Sequence, residues 1–282
     1  MAIELTKVGH SLRVSNGREI SLPANPPKSL VNLHMPDIET VDSNQRYPLG
    51  TIFRDGDRSY RYAYASGDVK PYWGVYKPKK SNVNAAAPVQ ATGAGAIGSL
   101  TVTVTIDQEI GVLTTGVLSE NELSGGYVVI GNGVNQYPQT RQIVSHPALA
   151  TTGGSLTLTI DRPLGVAVVA ATTNIELMEC PYYCVKADGL GNGYASFIGI
   201  AACVAVSGQY FWIQTWGPVW ITSDGNTCNS VGDRTLVWAN NGSVVSSNDI
   251  TVEDGFQIAG IALDMSSVGA SNAPFVLLQI AP

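Results

Sequence analysis

The side chains with intrinsic reactivity are few, and their spacing suits no familiar chemistry. Three histidines, His10, His34 and His146, stand in loop-like or arm-like surroundings. Gly9-His10-Ser11-Leu12-Arg13 begins like the G-x-S-x-G turn that lifts a nucleophilic serine. It ends in Arg13, with no strand-to-helix pattern around it. Cys180 and Cys184 have three residues between them, whereas zinc sites favour C-x2-C with a second Cys/His pair beyond. Gly189-Leu190-Gly191-Asn192-Gly193 departs from G-x-G-x-x-G and leads into no helix that would offer amides to a phosphate. Glu176 and Glu179 fall on opposite faces of a strand, so they do not form the carboxylate pair of a glycosidase. The sequence predicts no catalytic residue, no cofactor and no metal.

Binding chemistry is better represented. In DRSYRYAYASGDVKPYWGVYKPKK, residues 57–80, cations interleave with Tyr60, Tyr62, Tyr64, Tyr72, Trp73 and Tyr76, as in surfaces that stack single-stranded nucleic acid. Tyr60, Tyr62 and Tyr64 alternate, however, as in any half-buried strand, and a pI near 5.0 opposes a polyanionic partner. Trp212, Trp216, Trp220 and Trp238 could stack on sugar rings, but their strands are apolar on both faces and lack the polar groups that orient sugar hydroxyls. Core or subunit contact is the expectation for these tryptophans, and neither nucleic acid nor a membrane is predicted as a partner.

The elements that must position these residues are strands. In GQYFWIQTWGPVWI, residues 208–221, one strand face would carry Tyr210, Trp212, Gln214 and Trp216, and the other Phe211, Ile213 and Thr215. Both faces are apolar, which fits a central strand of a thick core or a face that meets a partner. Of the 282 residues only 38 are charged and 30 are Gly, while helix-period segments are nearly absent. The fold class is therefore all-β: two tandem β-sandwich or β-barrel domains, 84–180 and 181–282, preceded by an extended amino-terminal arm and hairpin, 1–83. Pro23, Pro26, Pro27, Pro36 and Pro48 make the arm irregular. Asp55-Gly56-Asp57 turns the hairpin. TVTIDQEIGV (103–112) and TLTIDRPLGV (157–166) echo one another 54 residues apart, as equivalent halves of one barrel would.

Charge is divided unevenly. Residues 1–80 hold 12 basic and 8 acidic groups, and residues 81–282 hold 4 and 14. A basic third on an acidic body suggests docking on something acidic. MAIELTKVGHSL lacks the basic-then-apolar pattern of a secretory signal, so none is expected, and the apolar runs are shorter than a membrane helix. The four cysteines are too few for a disulfide scaffold, and Cys203, within an apolar run, is expected to be an inert core thiol.

The carboxy-terminal segment carries a series of motifs: Gly208-Gln209-Tyr210-Phe211-Trp212-Ile213-Gln214, Trp216-Gly217-Pro218-Val219 and Val231-Gly232-Asp233. The series continues with Asn241-Gly242-Ser243-Val244, Ile258-Ala259-Gly260-Ile261-Ala262-Leu263 and the final strand, Phe275 to Ile280. On these motifs residues 195–282 resemble tailed-bacteriophage capsid decoration, or head-stabilising, proteins, and the resemblance extends loosely to 124–146 and 174–183. The resemblance implies a non-enzymatic virion component, made in the host cytoplasm and seated on the outer capsid surface. Its partners would be the major capsid protein and itself, as a homotrimer that cements neighbouring capsomers. On that reading Arg54, Arg58, Tyr60, Arg61, Tyr62, Tyr64, Tyr72 and Trp73 are the capsid-contact candidates. Tyr210, Trp212, Trp216 and Trp220 are assigned to the core or the trimer seam. A tail, baseplate or fibre protein contacting the host surface is the alternative, and a carbohydrate-binding module the next.

Overall fold

A computed structural model describes residues 11–14, 17–23, 35–77, 89–106, 118–132, 138–149, 154–187, 196–224, 234–249, 257–265 and 273–282. Among them the fold is all-β, with one 3-10 turn, Ser247–Asp249. The strands are β1 (Ser11–Val14), β2 (Arg18–Ser21), β3 (Ile52–Asp55), β4 (Arg58–Tyr64), β5 (Gly74–Lys77) and β6 (Val89–Gln90). There follow β7 (Thr101–Ile106), β8 (Tyr127–Asn132), β9 (Gln139–Ser145), β10 (Gly154–Ile160), β11 (Thr173–Met178) and β12 (Ser196–Ala201). The last five are β13 (Tyr210–Trp220), β14 (Thr235–Trp238), β15 (Val244–Ser246), β16 (Ile258–Met265) and β17 (Pro274–Gln279).

The chain forms two compact units, divided otherwise than the tandem arrangement predicts. One takes the described residues of Lys80–Cys180, and the other those of Gly9–Leu22, Pro27–Lys79 and Pro181–Pro282. The described residues of 11–77, Pro23 aside, thus belong to the second unit rather than to a separate arm and hairpin. β1 and β2 pair around Gly17, whose φ of +75° suits a tight turn, and β2 adds to β3. β4 then pairs with β13 over Tyr64↔Tyr210, Tyr62↔Trp212 and Tyr60↔Gln214. Neither β4 nor β13 can bury its aromatic face without the other, which is why the described residues of Pro27–Lys79 and Pro181–Pro282 fall in one unit.

The inserted unit is a six-stranded antiparallel ring in the order β6-β11-β8-β9-β10-β7. An antiparallel bridge between Ala91 and Val104 brings its ends together. Alternation does the sorting: Val102, Val104, Leu156, Leu158 and Ile160 point inward with Val128, Ile130 and Ile143. Thr101, Ser155 and Thr157 face water. The sequence echo lies here, but its copies are neighbours rather than separate halves. Thr103 and Thr157 stand directly opposite, their hydroxyl oxygens 3.2 Å apart.

His146 locks the turn at one end of this ring. Its Nε2 accepts the Leu123 N–H at 2.9 Å and its Nδ1 faces the Pro147 carbonyl at 2.8 Å, which requires the neutral tautomer protonated on Nδ1. Its own amide donates to Asn121 Oδ1 at 3.0 Å. Burial holds the imidazole below its ordinary value, with the Pro147 contact and the carboxylates of Glu122 and Glu120 opposing that shift. Above about pH 6.5 the ring is neutral in both folded and unfolded chains, so it adds no pH dependence. As pH falls below that, the unfolded chain takes up a proton the folded ring resists, and stability declines until the folded value is passed. Urea unfolding at pH 7.5 and 5.0 should show this loss, and His146→Gln should reduce it; an equal pH response in both proteins would refute the assignment.

The other unit is organised by β13. Its first half pairs with β4 and β12, and its second half, from Trp216, with β17. The register shifts between Gln214 and Trp216, and Gly217 at φ +94° carries the chain through the bend. Buried Gln214 spans the bend, its Nε2 donating to the carbonyls of Trp216 and Pro218, both at 3.1 Å. Buried Thr215 donates to the Ala281 carbonyl at 2.6 Å. Around β13 lie three apolar clusters. Tyr47, Phe53, Tyr60, Tyr62 and Trp212 fill one face of β4 and β13, while Ala63, Phe211, Ile213 and Cys203 fill the other. Beyond the bend, β13-β17-β16-β14-β15 curls round Ile221, Leu236, Trp238, Val276 and Leu278. A bridge between Ser223 and Val244 returns β15 to the chain leaving β13. Between Tyr210 and Thr215 the strand is apolar on both faces because a core lies on each.

Candidate functional site

The basic and aromatic residues of 54–73 do not form one surface. Tyr60 and Tyr62 are fully buried, which removes both as capsid contacts. β4 is a central strand, and its inward side packs on Trp212, with the Tyr62 and Trp212 rings 5.1 Å apart. The Tyr62 hydroxyl donates to Asp42 Oδ2 at 2.7 Å, and burial, the larger cause, raises its pKa. Tyr64 is half-buried, stacked on Tyr183 at 5.2 Å and tilted against Tyr210 at 4.9 Å. Arg54 pairs with Glu19, and Arg58 with Asp55, which also holds Arg18. These are rim pairs on the hairpin, of small energetic weight. Arg61 is half-buried, reaching the carbonyls of Gly50 and Pro282 while its guanidinium lies 5.7 Å from the Tyr182 ring.

Of the four residues assigned to core or seam, Trp212 is core. Tyr210, Trp216 and Trp220 are half-buried. Burial of Cys203 pushes its thiol up to about 11, as an inert core cysteine requires. Among the described residues no three His, Cys, Asp or Glu groups gather as metal ligands, and no helix is long and apolar enough to cross a membrane. His10 and His34 lie outside the described residues.

A different surface emerges on the outward side of the curled sheet. Residues directly opposite across strands project to the same side. One such row runs Pro218–Leu277–Ile261–Thr235, and the next runs Trp220–Phe275–Asp264, with Leu263 in the bulge beside it. Phe275 is 40% exposed, Ile261 41% and Leu263 45%. Tyr72, 48% exposed, meets Trp220 edge-on at 5.2 Å. Tyr72 takes φ +66°, a left-handed conformation that is costly for an aromatic residue. Two backbone bonds hold it: its N–H to the Ala201 carbonyl at 3.1 Å, and the Thr222 N–H to its own carbonyl at 3.0 Å.

Ile261, Leu263 and Phe275 stand in strands that carry the resemblance, but they are not among the site candidates read from the sequence. Their signal is the split of IAGIAL into large residues at 258, 261 and 263 and small ones at 259, 260 and 262. The small residues face the crowded interior, and the large ones face out. Comparison of the chain with known protein families, curated proteins and solved structures finds no match.

Proposed function

We propose that the chain is a structural virion protein that sits on the outside of a phage head and decorates or cements neighbouring capsomers. On this reading it is not an enzyme. Its partners are the major capsid protein and further copies of itself. The observation that carries the proposal is the outward apolar sheet face of Tyr72, Trp220, Ile261, Leu263 and Phe275. A contiguous apolar face of this kind is a feature of protein–protein contact sites. It also falls, Tyr72 aside, within the residues that resemble decoration proteins. With Tyr60 and Tyr62 in the core and Tyr72 on the apolar face, attachment to the shell falls to the exposed ends of Arg54 and Arg58 and to half-buried Trp73.

The test is copy number in purified particles of the virus that encodes the chain, measured by quantitative mass spectrometry against the major capsid protein. Near-stoichiometric abundance supports decoration of the whole shell. A handful of copies per particle points instead to a tail, baseplate or fibre position, and absence from particles overturns both.

A further inference from the structure

We propose that the outward face of β13, β16 and β17 is a two-fold self-association surface, on which a second copy of this chain seats the same face. The inference deepens the self-association proposed above by naming the surface and its symmetry. Four side chains that are 40–48% exposed, with half-buried Trp220 and Leu277 beside them, present on the order of 500 Å² of mostly apolar surface. Pairing that face with itself buries about 1,000 Å² over both copies, which reaches the lower limit for a specific interface and places it among weak, reversible ones.

Shape and charge select the occupant. A twisted sheet buries its face best against another sheet, about 10 Å away and rotated by roughly 30°. The chain itself supplies such a sheet. By sequence the unit that carries this face holds 14 acidic and 12 basic groups, so its net charge does little to oppose a second copy. In the two cross-strand rows Asp264 is the one ionised side chain, and it stands at the end of its row. Two copies meeting here therefore bring little like charge together. An isologous contact of this kind closes as a dimer and does not generate the trimer implied by the resemblance.

The experiment is sedimentation velocity and light scattering on the full chain from about 1 to 200 μM. The expected mass rises from 29.7 kDa to twice that value, with a dissociation constant on the order of micromolar. The double variant Ile261→Asp/Phe275→Asp should remain monomeric, a weakening of at least about 100-fold. Ile261→Thr, which keeps a β-branched residue on the strand, should weaken association about tenfold with an unchanged unfolding midpoint, and so covers any folding defect in the double variant. A monomer throughout the range, a trimeric mass, or unaltered association in both variants overturns the proposal. So does a monomeric chain whose binding to particles is lost in the double variant, since the face would then belong to the shell. Failure here leaves the copy number on particles unaffected, and a dimer absent from particles refutes only the virion reading.

Discussion

Replacing Gly217 by alanine should destabilise the protein by about 3 kcal/mol or more, the largest effect expected of any single methyl group added to β13. Two costs combine. At φ +94° an L-residue is in the left-handed half of conformational space, a penalty of roughly 1–2 kcal/mol. A Cβ built there would also stand 2.3 Å from the Asp57 carbonyl oxygen and 3.0 Å from the Arg58 Cα. Both neighbours are backbone, so relief requires β4 or β13 to move, in the place where β13 changes partners. Gly208 separates the two costs, because it has φ +92° with nothing within 4 Å of its Cβ position. Gly208→Ala should therefore lose only the conformational part, and urea unfolding of the two variants measures the difference. Equal losses would show that the close approach to β4 imposes no constraint.

Trp212→Ala should cost about 3–5 kcal/mol, in the range of aromatic truncations in packed cores. The indole is fully buried and lies 5.3 Å from the Tyr47 ring, 5.9 Å from Phe53 and 5.1 Å from Tyr62. Each edge-on or tilted pair contributes roughly 0.5–1.5 kcal/mol beyond its area, so truncation leaves a cavity and unpairs three rings. Domains are commonly stable by only about 5–15 kcal/mol, so the variant approaches the unfolding threshold. Trp216→Ala, at a half-buried position on the same strand, should lose no more than about 2 kcal/mol. Thermal unfolding of the pair tests the ranking, and a smaller loss at Trp212 than at Trp216 would contradict the core assignment.

Strand character was legible because it is local. Alternation in SLTVTVTID and SLTLTID predicts β7 and β10, and the double apolar pattern of 210–216 predicts a central strand. What stayed hidden was partnership. Nothing local in RSYRYAY says that its other strand begins at Tyr210, and a tyrosine-rich hairpin resembles a binding surface until its partner is known. The same limit applies to β1 and β2, which precede a proline-dotted stretch, close on the Gly17 turn and extend the β3–β4 sheet. The candidate site was hidden for a related reason. Ile261, Leu263 and Phe275 are as apolar as any core residue, and only the curl of the sheet decides that Ala259 and Ala262 fill the interior and the large side chains point away. Periodicity identifies two faces of a strand; when both are apolar it cannot say which is outside.

The division of the second unit around an inserted one sets a timetable for synthesis. Tyr62 must wait for Trp212, which leaves the ribosome 150 residues later. At about 5–20 residues per second that is a delay of roughly 8–30 s. The inserted ring is complete once Met178 has been made, so it can form during the wait. Until β13 arrives, the nascent chain holds Tyr60 and Tyr62 on the unpaired edge of β4, a surface open to aggregation and to chaperones. The unit that carries the apolar face is thus the last to be finished, and a chain cut short before residue 210 would possess the ring but not the face.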